Sequence, residues 1–317
     1  MINEIANVQA LCSKHTHISI VTHINPDADT LGTGLGIYNL LKAHKTVEII
    51  NTSDFLPQYL DFLPSFSKIK KKMDFTDGLI IACDCGNIKR FGVCLDGRDI
   101  LNIDHHASND MFGDINLVKA HYASASQVAY TFFKEFFPID VDVATCFYTA
   151  LLSDTRYFTT KPTDKKVFEM AKELVDIGVK PADVAYHFTQ RRSLASLRIL
   201  QKALGSLTLY SNAKIAVMFV TQEDIAQTGA SMPEIDGLVD YARSLTTVEI
   251  GIFIIEVGEG VRVSLRSKDA NVSKLALAFG GGGHTVASGF THASSKIEEI
   301  KGKIIDKIHE LGLIDGK

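Results

Sequence analysis

Three short apolar runs near the start of the chain each end directly in charged, ligand-capable side chains. His17-Ile-Ser-Ile-Val-Thr-His23 leads into Asn25-Pro26-Asp27-Ala28-Asp29, Leu79 to Cys83 leads into Asp84, and Ile100 to Ile103 leads into Asp104-His105-His106. Each run has the length and β-branched content of a buried strand, Val47 to Asn51 reads as another, and residues 30–43 carry a helical pattern. Strands alternating with helices in this way predict a parallel sheet covered by helices. In such sheets ligands bind outside the carboxyl ends of the strands, where these side chains fall.

At 317 residues the chain is too long for one typical domain of roughly 100–200 residues, so two are expected. The fold class is α/β: an N-terminal parallel-sheet domain over residues 1–185, a helical linker over 186–206 and a smaller C-terminal α/β domain over 207–317. Residues 124–137, 142–152 and Thr163 to Ile177 read as helices of the first domain, the last starting after Pro162 and stopping at Gly178. In the second domain Lys214 to Val220, Val248 to Val257 and Gly260 to Ser267 read as strands, and 234–245, 271–279 and 295–311 as helices. The basic run Lys68, Lys70, Lys71, Lys72 reads as a solvated face.

Composition narrows the function. The hydrophobic share of 46% and charged share of 22% exclude a disordered or fibrous chain. No apolar stretch approaches the ~20 residues of a membrane span, and the first residues lack the pattern of a signal peptide. A cytoplasmic protein with no membrane partner is expected. Five cysteines without repeated spacing predict free thiols, and strand alternation sets Asp84 opposite Cys83 and Cys85, which reads those two as packing. The net charge of −4 argues against a general duplex-DNA binder.

The carboxylates at the strand ends carry the chemistry. Asp29 or Thr30 could cap the following helix and Asp27 could make an Asx turn, and Asp154 in Leu151-Leu-Ser-Asp154-Thr155 could be a helix cap. Taken together, however, His23, Asp27, Asp29, Asp84, His105 and Asp154 offer two imidazoles and four carboxylates, enough for two divalent ions. A mixed N/O donor set suits Mn²⁺ best and also admits Mg²⁺, Co²⁺ or Zn²⁺. Two such ions ~3.5–4 Å apart clamp the oxygens of an in-line displacement and ionise a bridging water, which makes phosphoester hydrolysis the natural reaction.

His-x-Asn-Pro-Asp-x-Asp, the Asp84 strand end, Asp104-His105-His106 and Ser153-Asp154-Thr155, in this order, resemble the DHH phosphoesterase superfamily. Arg266 in Ser264-Leu-Arg-Ser267, followed by Gly280-Gly-Gly-Gly283-His284, resembles its DHH-associated C-terminal domain. The resemblance runs over roughly residues 17 to 290. It implies that His23, Asp27 and Asp84 hold one metal ion and Asp29, Asp84, His105 and Asp154 the other, with Asp84 bridging. It also implies that His106 faces the substrate phosphate as donor or general acid while Asp104 orients the neighbouring imidazoles. Family members usually carry Gly at the positions of Ala28 and Arg156; neither is a ligand, and Arg156 either contacts phosphate or points into solvent.

Successive glycines can turn N–H groups toward an anion, so Gly281, Gly282 and Gly283, with His284 as donor and Arg266 as a forked cation, are the expected substrate-binding residues. A helix stop after Phe279 explains a Gly-rich run equally well when the run is taken alone. Arg262, Ser264 and Arg266 should share one strand face. The chain leaves no room for the extra domain of long-chain RecJ-like exonucleases and most resembles the compact NrnA-like branch. That implies a two-metal exonuclease and phosphatase for short single-stranded RNA or DNA oligonucleotides and small phosphorylated nucleotides such as 3′-phosphoadenosine 5′-phosphate, with Tyr157 or Phe158 able to stack on a base. The branch also admits a homodimer. Rival readings are a phosphodiesterase for linear or cyclic dinucleotides, a pyrophosphatase, and a nucleotide-binding regulatory module without catalysis.

Overall fold

The computed structural model describes residues 2–293 and 296–314. The chain divides into two compact units, Met1–Arg191 and Arg192–Lys317. In the first, α1 (Ile2–Lys14), β1 (His17–Thr22), α2 (Ala28–Leu41), β2 (Thr46–Ile50), β3 (Ile69–Lys70), β4 (Leu79–Cys83), β5 (Asp99–Asp104) and β6 (Ile115–Val118) follow one another. The helices α3 (Ala125–Phe133), α4 (Val141–Asp154), α5 (Lys165–Ile177) and α6 (Pro181–Thr189) complete it. All five strand pairings are parallel and the spatial order is β3-β2-β1-β4-β5-β6. The order reverses between β1 and β4, and a sheet of this kind leaves a crevice at the carboxyl ends of the two strands flanking the reversal.

Among the described residues the α-helices of this unit pack on one face of the sheet. There α2 lies between the sheet and α4, and it is buried almost all round. Two glycines let α4 approach so closely: a Cβ on Gly32 would stand 2.7 Å from the Cys146 carbonyl oxygen, and one on Gly36 would stand 2.4 Å from the Phe147 ring. The other face is covered by Met73, Cys85, Leu95 and Phe112 from loops and by Ile88 and Phe91 from a single 3₁₀ turn.

The stretch 186–206 is not one linker helix. It breaks at residues 190–193, between α6 and α7 (Leu194–Gly205), and α7 buries Ile199 and Ala203 in the core of the second unit. That unit continues with β7 (Thr208–Tyr210), β8 (Ile215–Val220), α8 (Gln222–Thr228), α9 (Met232–Ile235), α10 (Val239–Arg243), β9 (Ile250–Val257) and β10 (Gly260–Ser267). It closes with α11 (Val272–Ala278), β11 (Gly282–His284), β12 (Ala287–His292) and α12 (Ile297–Glu310). The single helix expected over 234–245 is two, because Gly237 sits at φ +87° between α9 and α10. The sheet order is β11-β12-β10-β9-β8-β7, antiparallel except for β8 with β9, with an apolar core on each face. No helix among the described residues is long and apolar enough to cross a membrane.

Candidate metal centre

The reversal of strand order puts the ends of β1 and β4 side by side, and the candidate ligands leave the sheet there. His23 follows β1 directly, and Asp27 caps α2 by accepting from the Asp29 and Thr30 amides at 3.0 and 3.1 Å. The cap is thus Asp27 and not Asp29 or Thr30. Asp29, within the first turn, accepts instead from the Ala125 and Ser126 amides at the start of α3, at 2.7 and 3.2 Å, and from Thr33 Oγ1. Asp84 follows β4 in a left-handed conformation (φ +57°). This turn breaks strand alternation, so Cys83 and Cys85 enter the cores on opposite faces of the sheet instead of sharing one. Both remain free, buried thiols.

The donors gather in two sets joined by Asp84. His23 Nε2 is 4.0 Å from Asp27 Oδ1 and 3.6 Å from Asp84 Oδ2. His105 Nε2 is 3.7 Å from Asp29 Oδ2, 3.4 Å from Asp154 Oδ2 and 3.6 Å from Asp84 Oδ1. One oxygen of Asp84 therefore faces each set. Both imidazoles are oriented by the backbone: Nδ1 of His23 donates to the Ile24 carbonyl at 2.9 Å and Nδ1 of His105 to the Tyr122 carbonyl at 3.3 Å. A carbonyl only accepts, so the proton lies on Nδ1 and the lone pair of each Nε2 points into the centre. Burial lowers the pKa of both rings, that of His105 to about 4, which keeps them neutral and able to bind a metal.

The electrostatics of the donor set call for cations. Burial, followed by the charges of Asp29 and Asp27, pushes the Asp84 carboxyl well above its usual range; burial and Asp154 do the same to Asp29, and burial and Asp27 push Asp154 up to about 7. Packed without counter-ions these carboxylates repel, and divalent ions reverse the sign of that interaction. Asp84 is 2% exposed and its Oδ1 has no hydrogen-bond partner. A buried carboxylate oxygen facing two imidazoles with no donor of its own fits a metal bridge.

His106 is arranged differently from its neighbour. Its Nδ1 lies 2.6 Å from Asp104 Oδ1 and 3.6 Å from Asp84 Oδ1. Burial opposes protonation of His106, but the Asp104 hydrogen bond and charge overcome it and raise the pKa. Asp104 is itself fixed by the His105 amide at 2.7 Å and by Asn109 Nδ2. Asn109 went unnoticed in the sequence; its signal is an Asx side chain five residues beyond Asp104, which also holds the Cys85 carbonyl at 3.1 Å. Arg90, whose guanidinium reaches the His23 ring, was missed as well.

In the second unit the register aligns Arg266 with Ala287 and Ala287 with His284, so Arg266 and His284 share a row on one sheet face. Arg262, Ser264 and Arg266 alternate with buried Val263, Leu265 and Ser267, as the strand pattern predicts. The glycine run is not a free loop. Gly280 ends α11 at φ +77°, while a Cβ on Gly281 would stand 2.2 Å from the Gly289 carbonyl oxygen and one on Gly283 2.6 Å from Ser288 Cα. Close packing of β11 on β12 thus explains Gly281 and Gly283, whereas Gly282 faces open space. A shallow depression of about 350 Å³ beside it is lined by Arg262, Ser264, Gly280, Gly281, Gly289 and Thr291.

A reversal-point crevice lined by histidine and aspartate in one unit, and a Gly-rich edge strand in the other α/β unit of the same chain, define a metal-dependent phosphoesterase class. Residues 17–151 match the DHH family N-terminal domain and residues 199–310 the DHHA1 domain, and the chain belongs to the DHH family. Among its relatives, the bifunctional oligoribonuclease and PAP phosphatase NrnA of Thermus thermophilus is 27% identical over 92% of this chain and 89% of its own. The Bacillus subtilis protein of the same name is 24% identical over 87% of this chain and 90% of its own. An exopolyphosphatase-related protein from Bacteroides fragilis shares the fold with a TM-score of 0.88 at 24% identity, covering 98% of both chains. RecJ from Thermus thermophilus, solved with Mn²⁺, has a TM-score of 0.59 at 14% identity and covers 97% of this chain and 54% of its own.

Proposed function

We propose that this chain is a two-metal phosphoesterase that releases mononucleotides from short oligonucleotides and removes phosphate from 3′-phosphoadenosine 5′-phosphate. The observation that carries the reading is Asp84, whose Oδ2 lies 3.6 Å from His23 in the set with Asp27 and whose Oδ1 lies 3.6 Å from His105 in the set with Asp29 and Asp154. Those residues would hold two divalent ions, with Mn²⁺ best suited to their mixed N/O chemistry. When bound, the ions supply a nucleophilic water near neutral pH and neutralise charge on the phosphate oxygens.

The chain's own residues do the rest. Protonated His106, held by Asp104, donates to the phosphoryl or leaving oxygen, and Asn109 keeps Asp104 from turning away. Tyr157, directly after the positive-φ residue Arg156, is 45% exposed and offers a ring for stacking; Phe158 packs against the core. Arg266, Gly282 and His284 are the substrate-binding residues of the C-terminal unit, while Gly281 and Gly283 shape the strand that presents them. The names of the NrnA relatives favour nucleotide substrates over pyrophosphate. All six metal donors come from one chain, so a homodimer is not needed to complete the centre, and light scattering reports whether one forms. We place the activity in the cytoplasm.

The test is product analysis of the Mn²⁺-loaded protein on short RNA, short DNA, the adenosine bisphosphate, a linear dinucleotide and pyrophosphate. Mononucleotides from short RNA and AMP from the bisphosphate are expected. Binding without turnover would favour the regulatory module, cleavage of the dinucleotide alone the dinucleotide phosphodiesterase, and cleavage of pyrophosphate alone the pyrophosphatase.

A further inference from the structure

Beside the metal centre stands a cation with no acceptor assigned to it. Arg90 Nη2 lies 3.5 Å from His23 Nδ1, but that nitrogen already donates to the Ile24 carbonyl at 2.9 Å. Two donors face each other, so the contact is not a hydrogen bond. Arg90 makes no ion pair with any carboxylate among the described residues, although the chain has a carboxylate surplus. With two divalent ions in the centre the guanidinium would be repelled, unless an anion lies against both. Burial is the larger influence on His23 and on His106, and the charge of Arg90 opposes protonation of each.

Its placement is fixed by the backbone. Arg90 lies in the turn Ile88–Phe91, and its carbonyl accepts from the Ile24 amide at 2.8 Å, tying the turn to the loop that carries His23 and Asp27. Phe91 is buried in the second face of the sheet, and its carbonyl accepts from Thr52 Oγ1 at 3.0 Å. Gly92 follows at φ +65°, where a Cβ would stand 2.5 Å from that same Thr52 oxygen. By contrast, Arg156 acts on Asp154, whose carboxyl it lowers against the stronger effects of burial and Asp27, so it answers a charge within the protein.

We propose that Arg90 is a substrate-binding residue of the N-terminal unit, gripping a non-bridging oxygen of the phosphoryl group that the two ions hold. The inference rests on the phosphoesterase reading above and adds to it a permanently charged group from the same unit as the candidate ligands. A guanidinium fork matches phosphate oxygens and keeps its charge at any working pH. Because the grip is on the reacting phosphoryl group, it serves oligonucleotide and bisphosphate alike.

The experiment compares wild type with Arg90→Ala and Arg90→Lys as full-length, Mn²⁺-loaded proteins. Titration calorimetry measures Mn²⁺ stoichiometry and orthophosphate affinity, and kinetics are followed on a short RNA and on the adenosine bisphosphate. Expected for Arg90→Ala are unchanged Mn²⁺ stoichiometry, at least tenfold weaker phosphate binding, and at least a hundredfold lower kcat/KM on both substrates, partly restored by added guanidinium. Arg90→Lys, which keeps the charge and protects the test against misfolding of the alanine variant, should fall between. Phosphate affinity and kcat/KM within threefold of wild type in either variant would overturn the proposal. So would loss of an Mn²⁺ equivalent, which would mean that Arg90 acts by positioning His23. A wild type that binds phosphate but hydrolyses neither substrate sinks the functional reading, while the phosphate titration still decides the role of Arg90.

Discussion

Replacing Asp84 by Asn separates the charge of this side chain from its shape. Asp84 sits at φ +57°, a region that Asn enters more easily than most residues, so the turn after β4 is kept, whereas Ala would add a backbone penalty to the effect under test. Without metal, wild type holds four carboxylates against two neutral imidazoles, and Asp84 is the most central of them, 3.6 Å from both His23 and His105. Asn avoids both the buried charge and the proton uptake that the raised Asp84 carboxyl otherwise costs, so Asp84→Asn should stabilise the metal-free protein by about 1–3 kcal/mol. For a unit of this size, where 1 kcal/mol corresponds to about 2–4 °C, the metal-free Tm should rise by several degrees. With metal the order inverts. At a concentration of one hundred times Kd, each ion adds about 2.7 kcal/mol to wild type, so two ions raise its Tm by roughly 10–20 °C. The variant, which has lost the ligand common to both sets, should gain less than half of that and lose phosphoesterase activity. Calorimetric scans with EDTA and with Mn²⁺ supply both numbers. A metal-free Tm that falls, together with an Mn²⁺ shift that survives, would refute the bridging role of Asp84 and the repulsion argument together.

Removing metal should also make stability depend on pH in a definite sense. Asp154 titrates at about 7 in the fold against a usual value near 4, so the fold holds a proton that the unfolded chain releases; its contribution is complete below pH 4 and lost as pH rises through 7. The Tm gap between Mn²⁺-loaded and EDTA-treated protein should therefore widen from pH 5 to 8, and a constant gap would count against it. Asp104→Asn removes the group that raises His106, so the alkaline fall of kcat should move to lower pH, with Mn²⁺ stoichiometry intact; an unchanged pH profile rejects His106 as the acid. Tyr157→Ala should raise KM for short RNA about tenfold with little change in kcat, and Tyr157→Phe should not, since stacking energies of about 1–3 kcal/mol per base need only the ring. Gly36→Ala, whose Cβ would meet the Phe147 ring, should cost about 1–3 kcal/mol in denaturant unfolding, and a cost below 0.5 kcal/mol would show that α2 and α4 have room to separate.

The candidate metal centre was legible because most of its candidate ligands come just after a strand, Asp154 at the end of α4 being the exception, and strands announce their ends. Apolar runs such as Leu79–Cys83 stop where the backbone leaves the sheet, and the first polar side chain beyond them must lie at the sheet's carboxyl edge. What periodicity could not supply was anything decided at a single backbone angle. The left-handed turn at Asp84 put Cys83 and Cys85 on opposite faces, although alternation assigned them to one, and Gly237 split one expected helix into α9 and α10. The glycine run shows the same limit from the other side. Four consecutive glycines read as freedom to wrap an anion, yet Gly281 and Gly283 answer to the approach of β12, a strand that was not foreseen because its Ala-Ser-Gly content lacks an apolar rhythm. Asn109 and Arg90 escaped for a third reason. Each acts through a contact far along the chain, Asn109 on the Cys85 carbonyl and Arg90 on the loop after β1, and no local pattern encodes which distant loop a turn will meet. The divide falls between ligands that a strand delivers by its own length and supporting residues that only tertiary packing delivers. A centre assembled the first way keeps its donors in place when a supporting loop changes, so variation in substrate handling should concentrate in positions such as Tyr157 while the six candidate donors stay fixed.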